Sequence, residues 1–169
     1  IELANGVHVK IQLWDTAGQE KFKSVSKQYY KGAVGVMLVY DITKRKTYEN
    51  VPKWIEEARN HAASDVTIII VGNKKDLDSL REVSVEEGQS LAQDQKCYFL
   101  ETSALDNADK MIEKVFTTLS EEIIVKKKEE MGPEGGAQAA AGGAAGGKRI
   151  ELATAAAPKE EEKKCCLSS

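Results

Sequence analysis

Two apolar runs constrain this chain more than anything else in it. Val34 to Tyr40 is apolar apart from Gly35, and Val66 to Val71 is interrupted only by Thr67. Runs of this length and composition suit strands covered on both faces, as in parallel sheets. Cys97 to Leu100 is a shorter run of the same kind, and Val7, Val9, Ile11 and Leu13 alternate with polar residues as a half-buried strand would. Between the runs lie helical patterns. Val51, Trp54, Ile55 and Ala58 recur at helical spacing, with Pro52 tolerable only in the first turn. Ser84-x-x-Glu87 is a capping box opening a helix through Leu91 and Ala92, and Met111, Ile112, Val115, Phe116, Leu119 and Ile123 mark a last helix. Strands alternating with helices predict an α/β fold, a mostly parallel sheet with helices on both faces. Such sheets bind ligands at the carboxyl ends of their strands.

Composition narrows the organisation. Residues 132–158 hold seven Gly and ten Ala, with almost no large apolar side chain to offset ordering entropy. The expected division is therefore a domain over 1–125 and a disordered tail over 126–169. The longest apolar run, Gly32 to Tyr40, is far short of the ~20 residues of a membrane-spanning helix. A net charge of −3 shows no basic surplus for nucleic acid. Three Cys, two of them adjacent at the far end, do not make a disulfide framework, and no signal-peptide pattern is visible. With Ile1 in first place, the chain reads as a fragment.

The strand ends carry the chemistry. The first run closes on Trp14-Asp15-Thr16-Ala17-Gly18-Gln19-Glu20. Here Asp15 can hold Mg²⁺ through water, the Gly18 amide can approach a terminal phosphate, and Gln19 can orient a water for in-line attack. The third closes on Asn73-Lys74-Lys75-Asp76. A fixed Asp76 carboxylate can accept from the ring N–H and amino group of guanine; adenine lacks that donor pair and would leave the carboxylate unmatched. Asn73 would brace the loop and the Lys74 stem lie along the base. The fourth closes on Glu101-Thr102-Ser103-Ala104, whose small residues let backbone N–H groups reach the guanine carbonyl. Each motif alone is also an ordinary polar turn. All three in one order, each ending a predicted strand, point to one site.

Together W-D-T-A-G-Q-E, N-K-x-D and E-T-S-A resemble the Ras-like small GTPases, over about residues 1–125. The segment Tyr29 to Ala33 and the terminal Cys pair look most like the Rab branch. Val39 to Thr43, Thr47 to Val51 and Glu101 to Asp106 are similar to the Rabs of recycling endosomes and the trans-Golgi. The resemblance implies a GTP hydrolase that switches between GTP and GDP with Mg²⁺ to regulate vesicle trafficking. Asp15 would hold the metal through water, Gly18 contact the γ-phosphate and Gln19 position the attacking water. Asn73, Lys74 and Asp76 would select guanine, supported by Ser103 and Ala104, and Trp14 and Tyr29 would meet effectors. It further implies an exchange factor, an activating protein, an escort protein and a dissociation inhibitor. The location would be the cytoplasmic face of endosome, trans-Golgi or vesicle membranes, with a cytosolic pool.

The departures are as informative. A complete family member begins with a strand, a phosphate loop G-x-x-x-x-G-K-[ST], a helix and a first switch, and none precedes Ile1. The family's first strand is central, so the edges beside Val7–Trp14 and Val34–Asp41 are expected to stand unpaired. Gly142 to Lys148 matches G-x-x-x-x-G-K, but Arg149 follows where a hydroxyl is needed, and no apolar run precedes it. Phosphate recognition rests on charge-assisted hydrogen bonds of roughly 1.5–3 kcal/mol each. Without that loop GTP should bind weakly or not at all, and the expectation is an inactive chain. The connection from Asp106 to Phe116 also runs two residues longer than the usual Rab pattern.

Cys166 stands four from the end and Cys165 beside it supplies a second attachment point, resembling dual prenylation. Lys159 to Lys164 balances three Lys with three Glu, so it is no polybasic anchor. A free-thiol tail is the plain alternative. Cys97 reads as core, and His8 and His61 have no clustered partners. Two other readings stand beside the incomplete Rab-like GTPase: a truncated, nucleotide-free, membrane-tethered interaction module, and a non-productive product that never folds.

Overall fold

A computed structural model describes residues 1–3, 6–15, 30–131 and 150–156. The chain order is β1 (Ile11–Asp15), β2 (Gly35–Asp41), α1 (Arg45–Glu49), α2 (Val51–His61) and β3 (Thr67–Asn73), then a 3₁₀ segment (Lys75–Leu80). There follow α3 (Val85–Asp94), β4 (Tyr98–Glu101), α4 (Met111–Met131) and β5 (Ile150–Ala156). The five strands form one sheet in the order β1-β5-β2-β3-β4, every pairing parallel.

The apolar runs explain the layers. Successive strand side chains point to opposite faces, so a run apolar at every position needs cover on both. On one face Val36, Leu38, Tyr40, Ile68 and Ile70 pack with Val51, Ile55 and Ala58 of α2 and with Ala92 of α3. On the other, Met37, Ile69 and Val71 pack with Val115, Leu119 and Ile123 of α4. The expected helices form as read. Pro52 sits in the first turn of α2, and Ser84 and Glu87 make the capping box of α3 in both directions, at 3.2 and 2.9 Å.

Glu87 is also forked onto Arg45, at 2.5 and 3.0 Å. The Arg45 guanidinium, then the Ser84 backbone N–H, pull its carboxyl down to about 2. The folded value lies below the unfolded one. The pair therefore supports the fold above the ordinary Glu pKa of 4.5 and ceases to do so as pH falls towards 2. A ¹³C-carboxyl NMR titration should give Glu87 a midpoint near 2, and Arg45→Ala should move it up towards 4.5.

Three expectations change. The first strand is shorter than the alternation suggested, because Gly6 at φ +75° turns the chain. Leu3 N–H then donates to the Val7 carbonyl, and Glu2 bridges antiparallel to His8, which removes Val7 and Val9 from β1. The last helix runs to Met131, beyond the division at 125. The largest difference is β5. Ile150–Ala156 falls within the stretch expected to be disordered, yet it lies between β1 and β2. The edges expected to stand unpaired are thereby paired: Ile11–Asp15 against Ile150–Thr154, and Gly35–Val39 against Leu152–Ala156. The physical reason is that backbone groups, not side chains, make a ladder, so an alanine-rich segment can fill a slot that offers partners on both sides.

Candidate functional site

The carboxyl ends of β2, β3 and β4 bring three segments together. Asn73 ends β3, and its carbonyl accepts from Ile42 N–H at 3.1 Å, fixing it beside the end of β2. The chain then turns through Lys74 at φ +71° and enters the 3₁₀ segment that carries Asp76. From β4, Thr102 N–H donates to the Gly72 carbonyl at 2.8 Å, and the Thr102 carbonyl accepts from Lys75 N–H at 3.0 Å. These backbone bonds hold the N-K-x-D and E-T-S-A segments side by side.

Side chains complete the arrangement. Ser103 Oγ–H donates to Asp76 Oδ1 and accepts from the N–H groups of Leu105, at 3.2 Å, and Asp106, at 2.8 Å. Asn73 Oδ1 accepts from Ala104 N–H at 3.1 Å, so Asn73 braces the loop and that amide is committed to it. Asp76 is exposed while Ser103 is buried. An ionised carboxylate offers about four acceptor positions, so Asp76 keeps capacity towards solvent. A pocket of about 230 Å³ opens here, lined by Lys75, Asp76, Ser103, Asp106, Ala108 and Asp109. The Asp76, Asp106 and Asp109 side chains supply carboxylate acceptors to its lining, and Lys75 a cation.

Lys74 is anchored by a residue the sequence reading did not single out. Its Nζ lies 2.6 Å from Asp41 Oδ2 at the end of β2. Thr43 donates to Asp41 Oδ1 through its backbone N–H, at 2.9 Å, and its hydroxyl, at 2.6 Å. Burial pushes the Asp41 carboxyl up, but the Lys74 and Thr43 hydrogen bonds outweigh it and hold the group below its ordinary value. The available signal was an Asp closing an apolar run; its partner is distant in sequence.

The other candidates divide. Trp14 and Asp15 close β1, both exposed. Gly18, Gln19, Tyr29, Cys165 and Cys166 lie outside the described residues. Cys97 is partly buried, its thiol pushed up by burial, and it donates to the Gln95 carbonyl at 3.3 Å, in keeping with a packing role. Among the described residues no cluster of three or more His, Cys, Asp or Glu is placed to hold a metal ion, and no helix is long and apolar enough to cross a membrane.

The Ras family model matches residues 2–125. The chain is 53% identical over 118 residues to the Ras-related protein RABA2b of Arabidopsis thaliana, covering 70% of this chain and 54% of that protein. It is 51% identical over 115 residues to the Ras-related protein Rab11A of Lotus japonicus, covering 68% of this chain and 50% of that one. The chain spans about half the length of the curated relatives it matches. With the family model covering well over half of the chain, it belongs to the Ras family, as a Rab-like small GTPase of the Rab11/RABA group.

Proposed function

We propose that this chain carries the guanine-reading half of a Rab-type GTP/GDP switch acting in vesicle trafficking, and that as given it does not bind or hydrolyse GTP efficiently. The observation that carries the reading is the joined cluster of Asn73, Asp76, Ser103 and Ala104 at the carboxyl ends of β3 and β4. Asp76 selects the base, Ser103 orients its carboxylate, Asn73 holds the loop, and the Lys74 stem lies along the ring with its head fixed by Asp41. Family resemblance gives the phosphate side to Asp15, through a water-bridged Mg²⁺, and to Gly18 and Gln19. Of these, Asp15 closes β1, while Gly18 and Gln19 lie outside the described residues. By the same resemblance Trp14 and Tyr29 face effectors, and Cys165 and Cys166 take prenyl groups. These would hold the protein on endosome, trans-Golgi or vesicle membranes, in exchange with a cytosolic pool through escort protein and dissociation inhibitor.

Two hydrogen bonds to a charged acceptor, about 1.5–3 kcal/mol each, amount to a Kd of about a millimolar for the base alone. Titrating the labelled full chain with guanosine should shift the amides of Lys75 to Leu77 and of Ser103 to Ala104. Adenosine should leave them in place, and Asp76→Ala should abolish the guanosine shifts. Equal responses to the two nucleosides would sink the guanine reading. Stoichiometric Mg-GTP binding with turnover would refute the proposed inactivity.

A further inference from the structure

Asp76 is carried by a segment that has no anchor of its own. Lys75–Leu80 is a six-residue 3₁₀ stretch, and none of its residues is buried. A stretch without buried apolar contacts takes its position from what grips its ends. One tripeptide, Asp41-Ile42-Thr43, grips both. At the entry, Ile42 N–H donates to the Asn73 carbonyl at 3.1 Å. At the exit, the Ile42 carbonyl accepts from the N–H groups of Glu82, at 2.9 Å, and Val83, at 3.1 Å. Ile42 is fully buried. The tripeptide is pinned in turn: Asp41 N–H donates to Thr47 Oγ1 at 3.0 Å, and Arg45 N–H to Glu82 Oε2 at 2.6 Å.

Between the two grips the chain makes a turn that its residue type does not favour. Lys74 stands at φ +71° and ψ +35°, in the left-handed region, where a residue with a Cβ is strained and glycine is not. What opposes relaxation of that turn is the contact of Lys74 Nζ with Asp41 Oδ2 at 2.6 Å. Exposed ion pairs usually contribute little. Here one half is fixed: the Asp41 side chain is only 12% exposed, and its Oδ1 accepts from both the N–H and the hydroxyl of Thr43. From this arrangement we infer that Asp41 is a positioning residue for Asp76. Its carboxylate holds Lys74 in the left-handed turn, and that turn aims the 3₁₀ segment so that Asp76 meets Ser103 at the pocket. The consequence for base binding rests on the guanine reading; the geometry does not. Because Asp41 acts against strain at Lys74, its effect vanishes where that strain is absent, as with glycine at position 74.

Hydrogen exchange of the full chain, first without nucleoside, tests this. The amides to follow are those of Lys75 and Leu77, which donate to the Thr102 and Lys74 carbonyls at 3.0 and 2.8 Å. Asp41→Asn should speed their exchange about tenfold, the factor that matches the strain of one left-handed residue. It should also weaken the strong intraresidue HN–Hα cross-peak that a positive φ gives Lys74. Exchange of Ile69 and Val71, inside β3, should stay as in wild type. In a Lys74→Gly background the same substitution should change Lys75 and Leu77 by less than about twofold. At a fixed guanosine concentration, Asp41→Asn should shrink the shifts of Lys75 to Leu77 several-fold. Unchanged exchange with an unchanged cross-peak would overturn the assignment. Equal acceleration with and without the glycine would also overturn it, because Asp41 would then act through Thr43 or Ile42. If Asp41→Asn does not fold, Lys74→Met removes the same contact from its exposed side and must reproduce the acceleration. The expected exchange pattern, in a wild-type chain that answers guanosine and adenosine alike, would sink the guanine reading and still uphold Asp41 as what places Asp76.

Discussion

Arg81→Met should lower the unfolding free energy by about 3–5 kcal/mol, the usual cost of stripping one partner from a buried ion pair. Arg81 clamps Glu101 with two nitrogens, at 2.6 and 2.8 Å, and the Glu101 side chain is only 8% exposed. Arg81 Nε also donates to Asp78, at 2.8 Å, and Nη1 to the Val83 carbonyl, at 2.9 Å. The methionine stem can keep much of the packing, so the loss is mainly the unpaired carboxylate. Urea unfolding measures it. The double variant Arg81→Met/Glu101→Leu should recover most of the deficit, because an apolar pair of similar volume needs no counter-charge. No recovery would mean that Arg81 works through Asp78 and Val83 instead. The pair matters to the site because it fastens the end of the 3₁₀ segment bearing Asp76 to the strand that delivers Ser103.

Leu119→Ala is expected to cost about 2–5 kcal/mol. Leu119 is fully buried between Val115 and Ile123 on α4, against Met37, Ile69 and Val71. Truncation removes apolar contact and leaves a cavity, and α4 packs on only one face of the sheet, so little else compensates. The loop from Ser103 to Lys110 leads into this helix, tied to it by Ile112 N–H donating to Asn107 Oδ1 at 2.9 Å. A loosened α4 should therefore raise exchange at Ser103 to Asp106 as well as lower the unfolding midpoint. Leu105→Ala, at a side chain 87% exposed, should stay within about 0.5 kcal/mol of wild type.

What the sequence made legible was mostly local or periodic. The capping box at Ser84 and Glu87 spans three residues and needs no tertiary context. Val34 to Tyr40 and Val66 to Val71 suited strands covered on both faces, because successive strand side chains point to opposite faces of a sheet. Asn73, Asp76, Ser103 and Ala104 were legible as residue types at strand ends, and the structure brings those four into hydrogen-bond contact. Asp41 was not legible as the anchor of Lys74, since its partner stands across a helical crossover. Nor was β5. Composition argues how much a segment gains by burying side chains; it is silent about a segment whose gain is two ladders of backbone hydrogen bonds.

The position of β5 also fixes an order of events during synthesis. Asp41 is made long before Ile150, and at roughly 5–20 residues per second the growing chain waits about ten seconds between them. Among the described residues, the pairings of Ile11–Asp15 and Gly35–Val39 with Ile150–Ala156 are thus the last part of the sheet that can form. The β2–β3–β4 pairing, by contrast, has all its residues once Glu101 is made. The order of synthesis therefore builds the Asn73–Asp76 and Ser103–Ala104 end of the sheet before the β1 end is joined to it.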